Sequence, residues 1–313
     1  MSAGTGAGGL TVVGNTNLDI MVSGVTQLPE PGTEALVPDI RIRLGGSAGN
    51  LALRCAGLGQ ETTLISRVGN DASTALVRSE LQLPHLLPLL VTDPLLPSGV
   101  TVAVEAPGRD RAFISSLGAM SALEADDVPD DAVAARCLVL AGYFLLPKLR
   151  GTALEGLFTR ARAAGALTVL DTGWPTEGWT AEVRAEVRSV LRCVDVFLPN
   201  EDELAGLTGI DDPRTAALEL AAATGTLVVA KLGPHGAGVA LPSGEWTHSP
   251  AQPVEAVDST GAGDGFNAAF LICLAKGSDP ADALKAAVRY ATELVATAPE
   301  ARSAVRLPDV VSL

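Results

Sequence analysis

The residues best placed to do chemistry run from Asp258 to Phe270, DSTGAGDGFNAAF: three small residues ahead of an aspartate, then a helical run that ends on Gly277. Gly261, Ala262 and Gly263 let a ligand come close to the backbone. Free amides at a helix start, together with the positive end of the helix dipole, hold an anion there. A carboxylate beside such a site repels the anion, so Asp264 calls for a separate task. The plainer reading is a helix start with Asp264 favourable in its first turn. Ser259 or Thr260 could already cap that helix, however. Gly-Ala-Gly is also a costly way to begin one unless something must approach closely.

The elements around this segment read as alternating strands and helices. LTVVG (10–14) is a buried first strand, SAGNLALRCAGLG (47–59) has helical spacing, and TTLISRVG (62–69) is a strand with a helix following from Asp71. From Arg136 the order is regular: strand CLVLAG, helix near 148–164, strand ALTVLD, helix near 180–192, strand DVFLP and a helix from Asn200. A helix at 213–223, strand TLVVAKLG, a pair of strands around 236–248 and helices at 263–276 and 280–297 complete the chain. This predicts an α/β fold, a mostly parallel central sheet flanked by helices, with ligands at the carboxyl ends of the strands. Residues 33–43 partly alternate, and 99–115 reads as a hairpin around a P-G-R-D turn. Together they predict a small β-sheet lid, with the hairpin against the 33–43 strand. The Gly/Ala-rich residues 1–9 are expected to be a disordered tail before a single domain over 10–313.

Composition narrows the function. Hydrophobic residues are 47% and charged ones 19% of 313, enough for a large core. The formal net charge is −14 with no basic stripe, which argues against a nucleic-acid partner. Cys55, Cys137, Cys193 and Cys273 are scattered in apolar segments, so neither a zinc site nor a disulfide framework is expected. Three histidines disfavour histidine-based catalysis. The N-terminus lacks a secretory pattern and the longest apolar run, 137–147, is too short to cross a bilayer, so a cytoplasmic protein with no membrane partner is expected. Gly4, Gly6 and Gly9 match G-x-G-x-x-G, but they precede the first strand, whereas a dinucleotide site needs them after it.

DSTGAGDGFNAAF resembles the C-terminal signature of the PfkB/ribokinase family of carbohydrate and nucleoside kinases. GGSAGNLALRCAGLG, continuing to Gly69, is similar to the N-terminal signature, with Gly45, Gly46, Asn50, Ala52 and Gly59 in place. GNTNLD (14–19), NEDE (200–203) and KLGPHG (231–236) match in order between and around them. The resemblance implies a ribokinase-like fold and an ATP-dependent phosphotransferase acting on a hydroxymethyl group of a sugar or sugar-like acceptor. By it, Asp264 is the base and Gly261, Ala262 and Gly263 hold the transferred phosphoryl. Asn17 and Asp19 grip acceptor hydroxyls, with Gly45, Gly46 and Asn50 beside them. Asn200 and Glu203 organise Mg²⁺ through water, although NEDE alone reads as an acidic helix start. Lys231, Gly233 and Gly236 form the loop beside the nucleotide. Asp258 and Thr260 match positions that bind a monovalent cation, usually K⁺. Lid strands commonly pair between subunits in this family, implying a homodimer.

The sequence departs from the family in three places. Ribose-specific members carry Lys at the position of Ser47 and Glu near Tyr143, which is here taken to face the acceptor. These departures point away from ribose. The C-terminal cation loop reads PEARSA (299–304), with Glu300 where glycine is common. Arg41, Arg43, Arg109 and Arg111 fall in the lid, as a solvated face or, alternatively, a contact to a phosphorylated acceptor. A nucleoside kinase, a non-catalytic sugar-binding relative and an NAD-dependent dehydrogenase are the competing readings.

Overall fold

The computed structural model describes residues 9–308 apart from Thr26, Leu28 and residues 106–111. Residues 1–8 of the expected tail and the P-G-R-D turn, with Arg109 and Arg111, lie outside the described residues. In chain order the strands are β1 (Leu10–Gly14), β2 (Asn17–Ser23), β3 (Asp39–Gly45), β4 (Thr62–Val68), β5 (Leu86–Thr92), β6 (Val100–Val104) and β7 (Ala112–Ser116). Then follow β8 (Cys137–Ala141), β9 (Leu167–Asp171), β10 (Val196–Phe197), β11 (Leu227–Lys231), β12 (Ala237–Ala240) and β13 (Trp246–Ser249). The helices are α1 (Ser47–Gly57), α2 (Ala72–Glu80), α3 (Asp130–Val133), α4 (Thr152–Ala163) and α5 (Ala181–Leu191). After them come α6 (Glu201–Thr208), α7 (Pro213–Thr224), α8 (Ala262–Ala275) and α9 (Pro280–Ala296).

Nine strands form one sheet in the order β13-β12-β11-β10-β9-β8-β1-β4-β5. Pairing is parallel except that β12 runs antiparallel to both β11 and β13. Both faces of such a sheet must be covered, which is why its inner strands are buried and mostly apolar rather than alternating, with a few buried polar residues such as Thr11 and Thr63 among them. Val12, Leu64 and Val139 face a core built with α1, α8 and α9. Their neighbours Val13, Ile65, Leu138 and Leu140 face a second core built with α4 to α7. Helix α8 is apolar on nearly every side because it lies between the sheet, α1 and α9; Phe270 is wholly buried within it.

The lid is a separate four-stranded sheet in the order β3-β2-β6-β7. It corrects the expected strand pairing. The hairpin β6/β7 does not lie against the 33–43 segment; β2 is inserted between them, parallel to β6 and antiparallel to β3. Strand β3 begins only at Asp39. Residues such as Asn17 and Asp19 favour turns in isolation, and here pairing on both sides of β2 overrides that preference. Strand β5 was also unexpected. Its Pro88 lowers strand propensity, yet β5 is the sheet edge, where a missing N–H is tolerated.

Candidate active site

Helix α8 starts from Gly261, whose left-handed φ of 71° turns the chain out of the preceding loop. No side chain caps it, so neither Ser259 nor Thr260 takes the capping role. The Ala262 amide donates to the Ser259 carbonyl at 3.2 Å, which removes it from the expected anion hole. The Gly261 and Gly263 amides donate to no protein acceptor among the described residues, and Gly263 is exposed. Asp264 follows in the first turn, partly reached by solvent, and Asn50 of α1 hydrogen-bonds its carboxylate. Burial and then the like charge of Asp171 push the Asp264 carboxyl up to about 7, against the pull of Lys231, Asn50 and Arg54.

Asp171 and Lys231 are the last residues of β9 and β11, so the sheet delivers both to its carboxyl edge. Lys231 Nζ lies 3.6 Å from Asp171 Oδ2, and both side chains are largely buried. Asn267, one turn along α8 from Asp264, donates its Nδ2 to the same Asp171 oxygen. Neither Asp171 nor Asn267 was singled out from the sequence. The signal for Asp171 was present, since ALTVLD ends in a carboxylate where an α/β sheet binds its ligand. Asn267 gave none, because the contact depends on how α8 crosses the sheet.

Asn200 bridges in parallel to Lys231, extending the β10/β11 pairing into α6. Its side chain accepts from the Glu203 amide at 2.8 Å, while Glu203 accepts from the Asn200 amide at 2.9 Å. This is a reciprocal capping box. It occupies the Asn200 oxygen and one Glu203 oxygen. Glu203 is 5% exposed, and burial, with Asp171 and Asp202, pushes its carboxyl up to about 7 despite Lys231. Lys231 is thus outnumbered by the carboxylates of Asp171, Glu203 and Asp264, and the edge is short of positive charge. Among the described residues no three metal-ligating side chains converge on one point. Magnesium therefore fits here only with water or ligand oxygens between it and Glu203.

On the lid, Asn17 donates Nδ2 to Asp19 Oδ1 at 2.7 Å and to Thr101 Oγ1 at 3.2 Å. Burial raises the Asp19 carboxyl, opposed by Asn17 and by Arg43, its cross-strand partner. A side chain at position 45 would bring Cβ to 2.1 Å from Asp19 Oδ1, so only glycine lets the acidic group lie against that strand end. Beyond the pair a cleft of about 740 Å³ opens between Met21, Arg41, Arg43 and Glu105 of the lid region and the loop from Ala256 to Thr260. Arg41 pairs with Asp39 at 2.9 Å. Arg43 makes no ion pair among the described residues, and its one hydrogen bond there is to the Met21 sulfur at 3.7 Å.

Four expected site residues make other contacts. Tyr143 is wholly buried in the second core; its hydroxyl donates to Glu186 and accepts from the Gly151 amide at 2.8 Å. It is a packing residue and does not face the acceptor. At Gly236, φ is +90° and a Cβ would meet the Ser249 carbonyl oxygen at 2.1 Å, so this glycine permits the close turn between β11 and β12. Asp258 and Thr260 meet each other and a guanidinium: the Thr260 amide and hydroxyl donate to Asp258 Oδ1 at 2.8 and 2.6 Å, and Arg302 Nη1 donates to the Thr260 carbonyl at 2.7 Å.

Among the described residues no helix is long and apolar enough to cross a membrane. Comparison with known proteins gives concordant results. The chain is 25% identical over 281 residues to a ribokinase of Staphylococcus aureus, covering 86% of this chain and 87% of that protein. It is 29% identical over 258 residues to an ATP-dependent ribose-1-phosphate kinase of Halopiger xanaduensis, covering 82% of each. Its fold matches the structure of Arabidopsis thaliana ribokinase complexed with ribose and ATP, with a TM-score of 0.78, 25% identity and 98% and 97% of the two chains covered. The model of the pfkB family carbohydrate kinases matches residues 8–305. With that match spanning nearly its full length, the chain belongs to the pfkB family of carbohydrate kinases.

Proposed function

We propose that the protein transfers the γ-phosphoryl group of ATP to a hydroxymethyl group of a sugar or sugar-like acceptor, with Asp264 as general base. The observation that carries this reading is the Asp264 carboxyl itself, held near 7 at the start of α8 beside two unclaimed amides. A base works best with its pKa near the operating pH. The acceptor oxygen bonds to the γ phosphorus as that phosphorus parts from the ADP oxygen, and the hydroxyl proton passes to Asp264. The Gly261 and Gly263 amides and Lys231 offset the charge of the transferring group. Magnesium, when bound, supplies further positive charge to the phosphates, with Glu203 orienting its waters. Asn17 and Asp19 hold acceptor hydroxyls. The relatives support this assignment: one is named ribokinase, and the Arabidopsis structure holds ribose and ATP.

Arg43 favours an acceptor with an acidic substituent. Among the described residues the Arg43 guanidinium bonds only to a thioether; it is the cross-strand partner of Asp19 and lines the cleft, which suits a phosphate or carboxylate. The name of the Halopiger relative includes such an acceptor. The outer lid face carries the row Ile42–Ile20–Val102–Ile114, with Ile42 57% and Ile114 63% exposed, which supports a homodimer through the lids. The test is an ADP-release screen over neutral sugars, sugar acids, sugar phosphates and nucleosides. ADP release with a sugar acid or sugar phosphate, weakened in Arg43→Met, is expected. Ribose as the best substrate would reject the acceptor reading, and nucleosides alone would make this a nucleoside kinase. No ADP release with any of these acceptors would leave a non-catalytic sugar-binding protein.

A further inference from the structure

The loop that leads into α8 should hold a monovalent cation, yet a side chain fills the place. Arg302, in the PEARSA segment, is 5% exposed. Its Nη2 donates to the Asp258 carbonyl and its Nη1 to the Thr260 carbonyl at 2.7 Å. Nη1 also lies 3.7 Å from Asp258 Oδ2. The remaining edge is anchored, with Nε donating to the carbonyls of Leu294 and Thr297 at 3.0 and 3.1 Å. One guanidinium thus meets both carbonyls, and the carboxylate, of the residues expected to ligate K⁺. A cation cannot share that space, so Asp258 and Thr260 as arranged do not fit one.

We propose that Arg302 is a tethered replacement for the activating monovalent cation, which makes the enzyme independent of K⁺. The carbonyl oxygens of Asp258 and Thr260, converging just before Gly261, repel one another unless a positive charge lies between them. A mobile ion supplies that charge only at sufficient concentration. Guanidinium carries it at every accessible pH, and its planar fork spans two carbonyls at once. The α9 end and the PEARSA segment hold the group in place, so the loop is organised without a binding equilibrium. Arg302 is a positioning residue: it touches the loop and not the reacting atoms. The inference rests on the kinase reading for its effect on rate, but not for its effect on stability.

The test uses the full-length protein at constant ionic strength, with KCl exchanged for tetramethylammonium chloride. Wild-type Tm and kcat are expected to change by less than about twofold in rate and not measurably in Tm, because no site answers to K⁺. Arg302→Ala should lose about ten- to a hundredfold in kcat through loop misplacement. K⁺ or millimolar guanidinium, but not tetramethylammonium, should restore both kcat and Tm. Should the alanine variant fail to fold, Arg302→Lys keeps the charge without the fork and should show partial loss with K⁺-insensitive Tm. Several-fold stimulation of the wild type by K⁺, a K⁺-dependent wild-type Tm, or an Arg302→Ala protein with unaltered kcat and Tm would each overturn the proposal. Absence of any phosphotransfer would count against the kinase reading alone, since the Tm comparisons decide the cation question without it.

Discussion

Replacing Asp264 by asparagine keeps the size of the side chain and its acceptor for Asn50, and removes only the proton-accepting charge. The structure gives the expected effect a sign. The carboxyl is pushed from its ordinary 3.8 up to about 7, so the ionised form is disfavoured in the folded protein. The stability associated with this group is complete below the ordinary value and is lost as pH rises through about 7. A shift of about three units corresponds to about 4 kcal/mol at the limit, at 1.36 kcal/mol per unit. Solvent reaches Asp264, which reduces the figure to about 1–2 kcal/mol. Asp264→Asn should therefore be more stable than wild type at pH 8.5, by roughly 2–5 °C in Tm, with the gain vanishing near pH 4. Turnover should fall by about 10²–10⁴. Wild-type kcat/KM should rise tenfold per pH unit below about 7 and level off above it, as expected for a base in the free enzyme. A folded Asp264→Asn protein with near-normal kcat, or with Tm below wild type at pH 8.5, would refute the reasoning.

Further predictions concern the supporting groups. Glu203→Gln preserves the capping box but loses the charge, and the Mg²⁺ concentration for half-maximal rate should rise about tenfold; an unchanged titration would leave the NEDE segment a helix start only. Gly45→Ala drives a methyl into the Asp19 carboxylate, so KM for the acceptor should rise about tenfold or more while KM for ATP holds; equal changes in both would count against Asp19 as an acceptor group. Tyr143→Phe strips two hydrogen bonds from a buried hydroxyl and should cost about 1–3 kcal/mol by denaturant melts with kcat/KM intact. A selective loss of acceptor affinity in that variant would return Tyr143 to the site.

The amino-acid sequence by itself determined the local elements and much of the motif chemistry. Apolar runs alternating with segments of helical spacing specify β1, β8, β9, β11 and the helices between them, because strands buried on both faces are predominantly apolar. Small residues before an aspartate mark the start of α8 for the same local reason. What depends on distant residues was decided by the tertiary structure. Strand β2 pairs because β3 and β6 flank it, and nothing within NTNLD announces those partners. Asp171 and Asn267 meet across 96 residues of chain, and burial, then the like charge of Asp171, raises the Asp264 carboxyl. Tyr143 leaves the site because the chain beyond β8 turns its ring into the second core. Arg302 lies 42 residues beyond Thr260, and only the fold of the chain after α9 sets its guanidinium on the two carbonyls. Spacing along the chain reports which groups share a turn or a face; burial, pKa and the guanidinium seated on the Asp258 and Thr260 carbonyls follow from contacts that only packing creates.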